Sequence, residues 1–160
     1  MKIDHFVVGA NSLEDASKYV ETNLGVSLQD GGKHLKFGTH NKLIRLNESI
    51  YIEAIAIDPS GNIPQIPRWF NLDNFCGEPR IINWVCRCIN LEKTLSNLRV
   101  NLAQPIDMER GVFKWKMTVP TDGVLPYNGA FPSLIQWTGN NHPCDQLDNR
   151  DLSLNHVQIN

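Results

Sequence analysis

The sequence lacks a long hydrophobic run, a cluster of basic residues and the cysteine spacing of a zinc site. No apolar stretch approaches the length that spans a bilayer, and the first residues, MKIDHFVVG, have no signal-peptide pattern. The 15 basic residues are scattered and the net charge is -2, which argues against nucleic acid as a partner. We therefore expect a cytoplasmic protein that binds neither nucleic acid nor membrane.

The four cysteines show no CxxC pair. Cys86 and Cys88 lie two residues apart in a strand-like run, so their side chains point to the same face and are badly placed to bridge each other. Reduced, mostly buried thiols are the expectation. With 160 residues, of which 41% are hydrophobic and 20% charged, the chain is long enough for one domain or for two small modules that share a core.

The first module is predicted over residues 1–58 with the order β-α-β-β-β. Lys2–Val8 alternates as a strand, and Ser12 followed by Asp15 has the spacing of a capping box. The helix that follows is expected to end at Gly25. Three short strands are predicted over residues 35–38, 41–46 and 50–57.

The same order is predicted to return after a proline-rich connector over residues 59–80. The second module, residues 81–139, has a strand at 81–88, an N-cap at Asn90, a helix face extending to Leu102, and strands at 111–119 and 132–138. The tail, residues 140–160, contains an apolar run at 152–159. This run is either an edge strand or the beginning of a further module in a longer chain.

Glu53 stands out because it lies inside an apolar strand. Tyr51, Glu53, Ile55 and Ile57 share one face of that strand. A buried carboxylate there must be paired with a cation, hydrogen-bonded, or directed into a cavity. We treat Glu53 as the candidate catalytic base, because burial favours a raised carboxyl pKa.

Other polar residues in apolar runs are candidate ligand contacts. His34 follows two glycines that permit close approach of the backbone. Asn41 begins a strand, where it either caps the backbone or faces a ligand, and Gln136 interrupts the run PSLIQWT. Trp84 is a further candidate, as core or as the wall of a cavity for a flat ligand. His5 is either a core histidine or a metal ligand.

Three segments carry a resemblance to a known family: IDHFVVGANSLEDASKYVETNLGV, GGKHLKFGTHNKLIRL and YIEAIA. They resemble the glyoxalase-like branch of the vicinal-oxygen-chelate superfamily. The resemblance implies an α+β fold in which paired βαβββ modules form curved mixed sheets around a shared cavity. It also implies metal ligands on the first and last strands of each module, which are His5 and Glu53 in the first. The second module departs from that pattern, with Trp84 and Gln136 at the corresponding positions.

Two functions follow from the resemblance. In one, a divalent metal ion (Ni, Mn, Fe or Zn) held by His5 and Glu53 supports lyase or isomerase chemistry on a small molecule. In the other, the chain binds or sequesters a small molecule without any metal, as resistance proteins of the superfamily do. A homodimer formed through sheet edges is a further expectation.

Overall fold

A computed structural model describes residues 1–159 of the chain. Two α-helices, α1 (Leu13–Leu24) and α2 (Leu91–Ser96), accompany eight strands. The strands are β1 (Lys2–Gly9), β2 (Gln29–His34), β3 (Thr39–Arg45), β4 (Tyr51–Ile57), β5 (Arg80–Arg87), β6 (Pro105–Arg110), β7 (Phe113–Thr118) and β8 (Ser133–Trp137). Short 3-10 turns lie at Trp69–Asn74, Pro126–Gly129 and Pro143–Asp145. No helix within residues 1–159 is long and apolar enough to cross a membrane.

All eight strands belong to one mixed sheet with the order β2-β3-β4-β1-β5-β8-β7-β6. Strands β1 and β4 are parallel, as are β5 and β8, and β1 joins β5 antiparallel at the centre. Each half of the sheet therefore has the order β-α-β-β-β. The sheet curves until its two edge strands approach each other, with the backbone of Gly32 on β2 against the side chain of Arg110 on β6. The architecture is the curved, nearly closed α+β sheet that the resemblance implied.

The concave face of the sheet encloses the main apolar core, which includes Val7, Ile55, Val85, Met117 and Ile135. The convex face is covered by the two helices. Helix α1 packs on β3 and β4 through a second cluster around Val20 and Ile44, and α2 packs through a third around Leu91 and Leu134.

Both helices begin at the residues that the sequence indicates. The Ser12 hydroxyl accepts a hydrogen bond from the Asp15 backbone N–H at 3.1 Å, and the Asn90 side chain accepts one from Lys93 N–H at 2.8 Å. Gly25 ends α1 in the left-handed region at φ 71°, where glycine carries no Cβ penalty.

The structure differs from the sequence-based predictions in four places. Strand β2 lies at Gln29–His34, because residues 35–38 turn back on the carbonyl of His34 instead of extending. Strand β6 was not predicted at all, since PIDMER has little apolar alternation. Helix α2 ends at Ser96 instead of continuing to Leu102. Residues 152–159 form no strand; Leu152 packs instead against the cluster under α1.

Candidate functional site

A narrow cavity lies inside the curved sheet, and strands β1, β4 and β7 are among those that line it. Its volume is about 20 Å³, room for about one water molecule. Polar side chains from the first half of the sheet face apolar ones from the second half and from the connector. The lining residues are His5, His34, Tyr51, Glu53, Trp69, Phe70, Arg110, Trp115, Met117, Ile135 and Trp137.

His5 is held in one tautomer by its neighbour in the chain. The register of β1 against β5 shifts at Asp4, and this bulge lets two consecutive side chains meet. His5 Nδ1 lies 2.7 Å from Asp4 Oδ1. Because a carboxylate only accepts hydrogen bonds, we place the hydrogen on Nδ1. In the neutral ring Nε2 is then an acceptor directed at the cavity.

Asp4 is fully buried and is the centre of its own network. Its Oδ2 accepts from Trp137 Nε1 at 3.0 Å and lies 3.2 Å from His142 Nε2. The Cys144 backbone N–H donates to His142 Nδ1, so the hydrogen of His142 is on Nε2 and points at Asp4. Burial raises the pKa of Asp4, but the hydrogen bonds from His142 and His5 outweigh it and hold that pKa well below its usual range.

Glu53 is buried beside His5 and fixed by Asn41. The Asn41 amide Nδ2 donates to Glu53 Oε1, while Asn41 Oδ1 accepts from Gly32 N–H at 2.9 Å. The Gly32 bond fixes which end of the Asn41 amide faces the carboxylate. Glu53 Oε2 is left beside the cavity.

His34 and Arg110 form the opposite rim of the cavity. Arg110 Nη1 lies 3.0 Å from Asn41 Oδ1 and 3.3 Å from His34 Nε2. A guanidinium only donates, so His34 Nε2 is an acceptor and its Nδ1–H faces Thr39 Oγ1 at 3.1 Å. Burial, and then the charge of Arg110, hold the pKa of His34 well below its usual value. His34 is therefore neutral at pH 7.

His5 Nε2 and Glu53 Oε2 are 3.7 Å apart, which is too long for a direct hydrogen bond. Both atoms are acceptors when the histidine is neutral. A group that supplies a hydrogen or a positive charge to both atoms would fit such a gap. Tyr51 stacks on the His5 ring with centroids 4.5 Å apart, which fixes the orientation of the imidazole.

The structure brings together four of the six residues that the sequence singles out: His5, His34, Asn41 and Glu53. Trp84 lies on the convex face, where its Nε1 donates to the Ala130 carbonyl. The Gln136 side chain also points away from the cavity, and its Oε1 accepts a hydrogen bond from Leu91 N–H at the start of α2. The expectation that Trp84 and Gln136 contact a ligand in this cavity is corrected, since the inward positions of their strands are Val85 and Ile135.

Asp4 and Arg110 were missed. Strict alternation sends Asp4 to the face opposite His5, and only the bulge brings the two together. Arg110 ends a strand that the sequence did not indicate and acts across the sheet on residues of the first half. A charged residue directly before a glycine, as in Arg110-Gly111, is too common to identify it.

The fold and the site define an α+β protein of the glyoxalase-like class, with one polar and one apolar side to its cavity. Residues 3–160 match the family model described as a glyoxalase-like domain, and the chain belongs to that family. No curated protein matches the chain significantly.

Among solved structures, a hypothetical protein from Staphylococcus aureus is similar with a TM-score of 0.58 and 23% identity over 85% of this chain. The chain spans 58% of that protein. Methylmalonyl-CoA epimerase from Streptomyces coelicolor, in complex with 2-nitronate-propionyl-CoA, is similar with a TM-score of 0.55 and 11% identity over 85% of this chain and 96% of its own. A hypothetical protein from Bacillus halodurans has a TM-score of 0.54 and 15% identity over 88% of this chain and 96% of its own. At these identities the likeness shows the fold.

Members of the superfamily often use a divalent metal, so the donor set of this cavity is informative. His5 Nε2 and Glu53 Oε2 are two suitable ligands, and Asp4 supports His5 as carboxylates support metal-bound histidines. A third is lacking: His34 Nε2, 3.9 Å from Glu53 Oε1, already accepts from the positively charged Arg110. Among residues 1–159 no group of three or more His, Cys, Asp or Glu side chains could hold a metal ion. The donor set does not fit a divalent ion held by protein ligands in the usual number.

Proposed function

We propose that this protein binds the polar head of a small organic molecule in the cavity, that Glu53 transfers a proton on it and that His5 holds it in place. The observation that carries the proposal is the 3.7 Å gap between His5 Nε2 and Glu53 Oε2. Two acceptor atoms that face one opening can both accept hydrogens from a water molecule or from a ligand that replaces it, and each of them can accept a proton. Isomerase or lyase chemistry next to a carbonyl group is the reaction class that uses such a pair.

The chemistry of the pair follows from how each member is held. Glu53 Oε2 accepts the proton when a carbon–hydrogen bond next to a carbonyl breaks, and the electron pair moves to the carbonyl oxygen as an enolate. The Asn41 amide fixes the carboxylate through Oε1, so Oε2 keeps its direction during the transfer. Protonated Glu53 then returns the proton to carbon. His5 Nε2 accepts a hydrogen bond from a hydroxyl group of the ligand, or from a water molecule, beside the reacting carbon. Asp4 stabilises any positive charge that develops on the imidazole of His5.

The apolar half of the cavity supports this chemistry by excluding water. Trp69 and Trp115 stand over the His34 ring at centroid distances of 4.8 and 6.3 Å, and Met117 and Ile135 complete the wall. An apolar wall of this kind keeps bulk water away from the reacting groups.

The test is hydrogen–deuterium exchange at carbon. A panel of small carbonyl compounds (pyruvate, phenylpyruvate, dihydroxyacetone and methylglyoxal) is incubated in D₂O with the wild-type protein after dialysis against EDTA. We expect exchange of the α-hydrogen of at least one compound above the buffer rate. Glu53→Gln should lower the exchange about 10²-fold or more. Glu14→Gln, on the exposed side of α1, is the matched control and should leave it unchanged.

Two outcomes would favour the other functions. Exchange that appears only after addition of Ni, Mn, Fe or Zn would replace this mechanism with a metal-dependent one. Binding of a compound that the wild-type protein neither exchanges nor converts would favour a sequestering protein.

A further inference from the structure

We propose that Arg110 binds the carboxylate of an anionic ligand, so that the molecules accepted by this site are small carboxylic acids. The proposal deepens the proposed function, since it assigns the ligand class of the same cavity. It rests on four features. Arg110 has no carboxylate partner, and it lies between the two halves of the sheet. A hydrogen-bonded amide connects it to Glu53, and the adjoining cleft is positively charged.

The guanidinium of Arg110 has no carboxylate partner. Its Nη1 contacts are Asn41 Oδ1 and His34 Nε2, both neutral groups, and its other contact is the ring of Phe113 at 5.6 Å. Within residues 1–159 no Asp or Glu oxygen lies within 4.0 Å of the guanidinium. Arg110 is only partly buried, so it can reach a ligand in the cleft, and guanidinium groups pair with carboxylates through two parallel hydrogen bonds.

Arg110 stands where a ligand must pass. It ends β6 and reaches across the gap to β2, where a Cβ on Gly32 would come within 2.9 Å of its Cδ. Glycine at that position leaves the room that the arginine occupies. Arg110 and Trp115 line both the inner cavity and an outer cleft of about 720 Å³. The inner cavity has room for about one water-sized group, so only the tip of a ligand's head group reaches it past Arg110 while the body stays in the cleft.

The spacing between Arg110 and Glu53 suits a carboxylic acid with a reactive neighbouring carbon. A single side-chain amide, that of Asn41, joins them: its Oδ1 accepts from Arg110 and its Nδ2 donates to Glu53. A carboxylate paired with Arg110 therefore lies about one amide group from the base. In a carboxylic acid, the α-carbon or the β-carbon lies at about this separation from the carboxylate.

The outer cleft has an excess of positive charge. Lys36 donates to the backbone carbonyl of Asp107, so its charge is not cancelled by that contact, whereas Lys33 is paired with Asp58. Basic side chains outnumber acidic ones among the lining residues and attract anions to the entrance. The basic residues are Lys33, Lys36, Arg110 and Lys114, and the acidic ones are Asp107 and Glu109.

The experiment compares carboxylates with amides of the same shape. Acetate and acetamide, then phenylacetate and phenylacetamide, are titrated to about 100 mM, a range that detects even weak binding. The signals of the four tryptophan indole N–H groups are followed by NMR. Trp69 and Trp115 line the cavity and should shift with the acids, while Trp84 on the convex face is an internal control. We expect each acid to bind about tenfold to a hundredfold tighter than its amide.

Three variants complete the test. Arg110→Gln should remove the preference for the acids, Arg110→Lys should retain part of it, and Lys114→Gln, which removes a charge from the cleft alone, should lower affinity for acids by less than about threefold. Equal affinity for acids and amides, equal loss of both in Arg110→Gln, or no response to either acid overturns the assignment. Glu53→Gln separates this proposal from the proposed function: it should abolish proton exchange and keep the preference for acids.

Discussion

Replacing Asp4 with asparagine tests how the site is held together, because the substitution keeps the shape and removes the charge. Asp4 accepts hydrogen bonds from three donors, His5 Nδ1, Trp137 Nε1 and His142 Nε2. A further cation, Arg87, has its Nε 3.8 Å from Oδ2. The indole can only donate, so the asparagine carbonyl must stay on the Oδ2 side and its NH₂ group must face His5. His5 is then forced to accept on Nδ1 and to carry its hydrogen on Nε2. The acceptor pair of the cavity then becomes a donor, His5 Nε2, that faces an acceptor, Glu53 Oε2.

The expected loss of stability is about 3 kcal/mol. A hydrogen bond to a charged group contributes about 1.5–3 kcal/mol and a neutral one about 0.5–1.5, so each of the three contacts weakens by roughly 1 kcal/mol. Urea unfolding measures the loss, and ¹⁵N NMR of the imidazoles reports the tautomer. Asp107→Asn, at an exposed carboxylate, is the control and should change stability by less than about 0.5 kcal/mol.

The stability difference between the wild type and Asp4→Asn should depend on pH in a defined direction. The pKa of Asp4 is lowered in the folded protein, so the unfolded chain binds more protons below its usual value of 3.8. The stabilisation is complete above pH 3.8 and is lost as the pH falls through the lowered pKa. The free energy of unfolding of the wild type should therefore exceed that of the variant by the largest amount above pH 3.8. Below pH 3.8 the difference between the two should become smaller. An unchanged His5 tautomer, or a constant difference down to pH 3, would refute the reasoning.

Two further predictions concern the rim of the cavity. The pKa of His34 is lowered in the folded state, so below pH 6.5 the unfolded chain binds more protons and the free energy of unfolding should fall by up to about 1.4 kcal/mol per pH unit. His34→Gln should flatten this slope in urea titrations between pH 7 and 5; an unaltered slope would contradict the assignment of a neutral, buried imidazole. In Gly31→Ala, the added Cβ would lie 2.1 Å from Asn41 Oδ1, an atom already fixed by two donors. We expect a loss of about 1–3 kcal/mol in urea unfolding, with Ser27→Ala as an exposed control; a variant as stable as the wild type would show that Asn41 is free to move.

The sequence was sufficient where local rules and tertiary structure agree. Ser12, Gly25 and Asn90 cap helices through contacts within a few residues, and all three were predicted. Strand parity placed Glu53 on the same face as Tyr51, and the structure confirms that Glu53 meets His5. Such features depend on spacing along one segment, which the sequence states directly.

The sequence was insufficient where pairing between distant segments decides the local structure. Strand β2 is a glycine-containing, mostly polar segment that becomes a strand because β3 pairs with it, and β6 depends in the same way on β7. The bulge at Asp4 shifts the frame of β1, so superposing His5 on Trp84 was out of register by one residue. That single step exchanges the two faces of the strand. It explains why Trp84 lies outside the cavity. Gln136, on β8, is likewise one position away from the inward residue Ile135.

In the correct register, the two halves of the sheet divide the work of the site. The inward polar residues of β5 and β8 are Asn83 and Ser133, which are buried and bond to each other at 2.8 Å. Asn83 Nδ2 donates to Ser133 Oγ, while Asn83 Oδ1 is buried without a hydrogen-bond partner. Neither residue lines the cavity, to which this half of the sheet supplies Trp115, Met117 and Ile135. The head-group chemistry therefore resides in residues of the first half. Among the residues that line the cavity, Arg110 is the one charged side chain that the second half contributes. If Glu53 is the base and Arg110 the carboxylate site, as proposed, the cavity selects ligands by the distance between their acidic hydrogen and their negative charge. A change in the curvature of the sheet that moved β6 relative to β4 would then change ligand choice without altering a single lining residue.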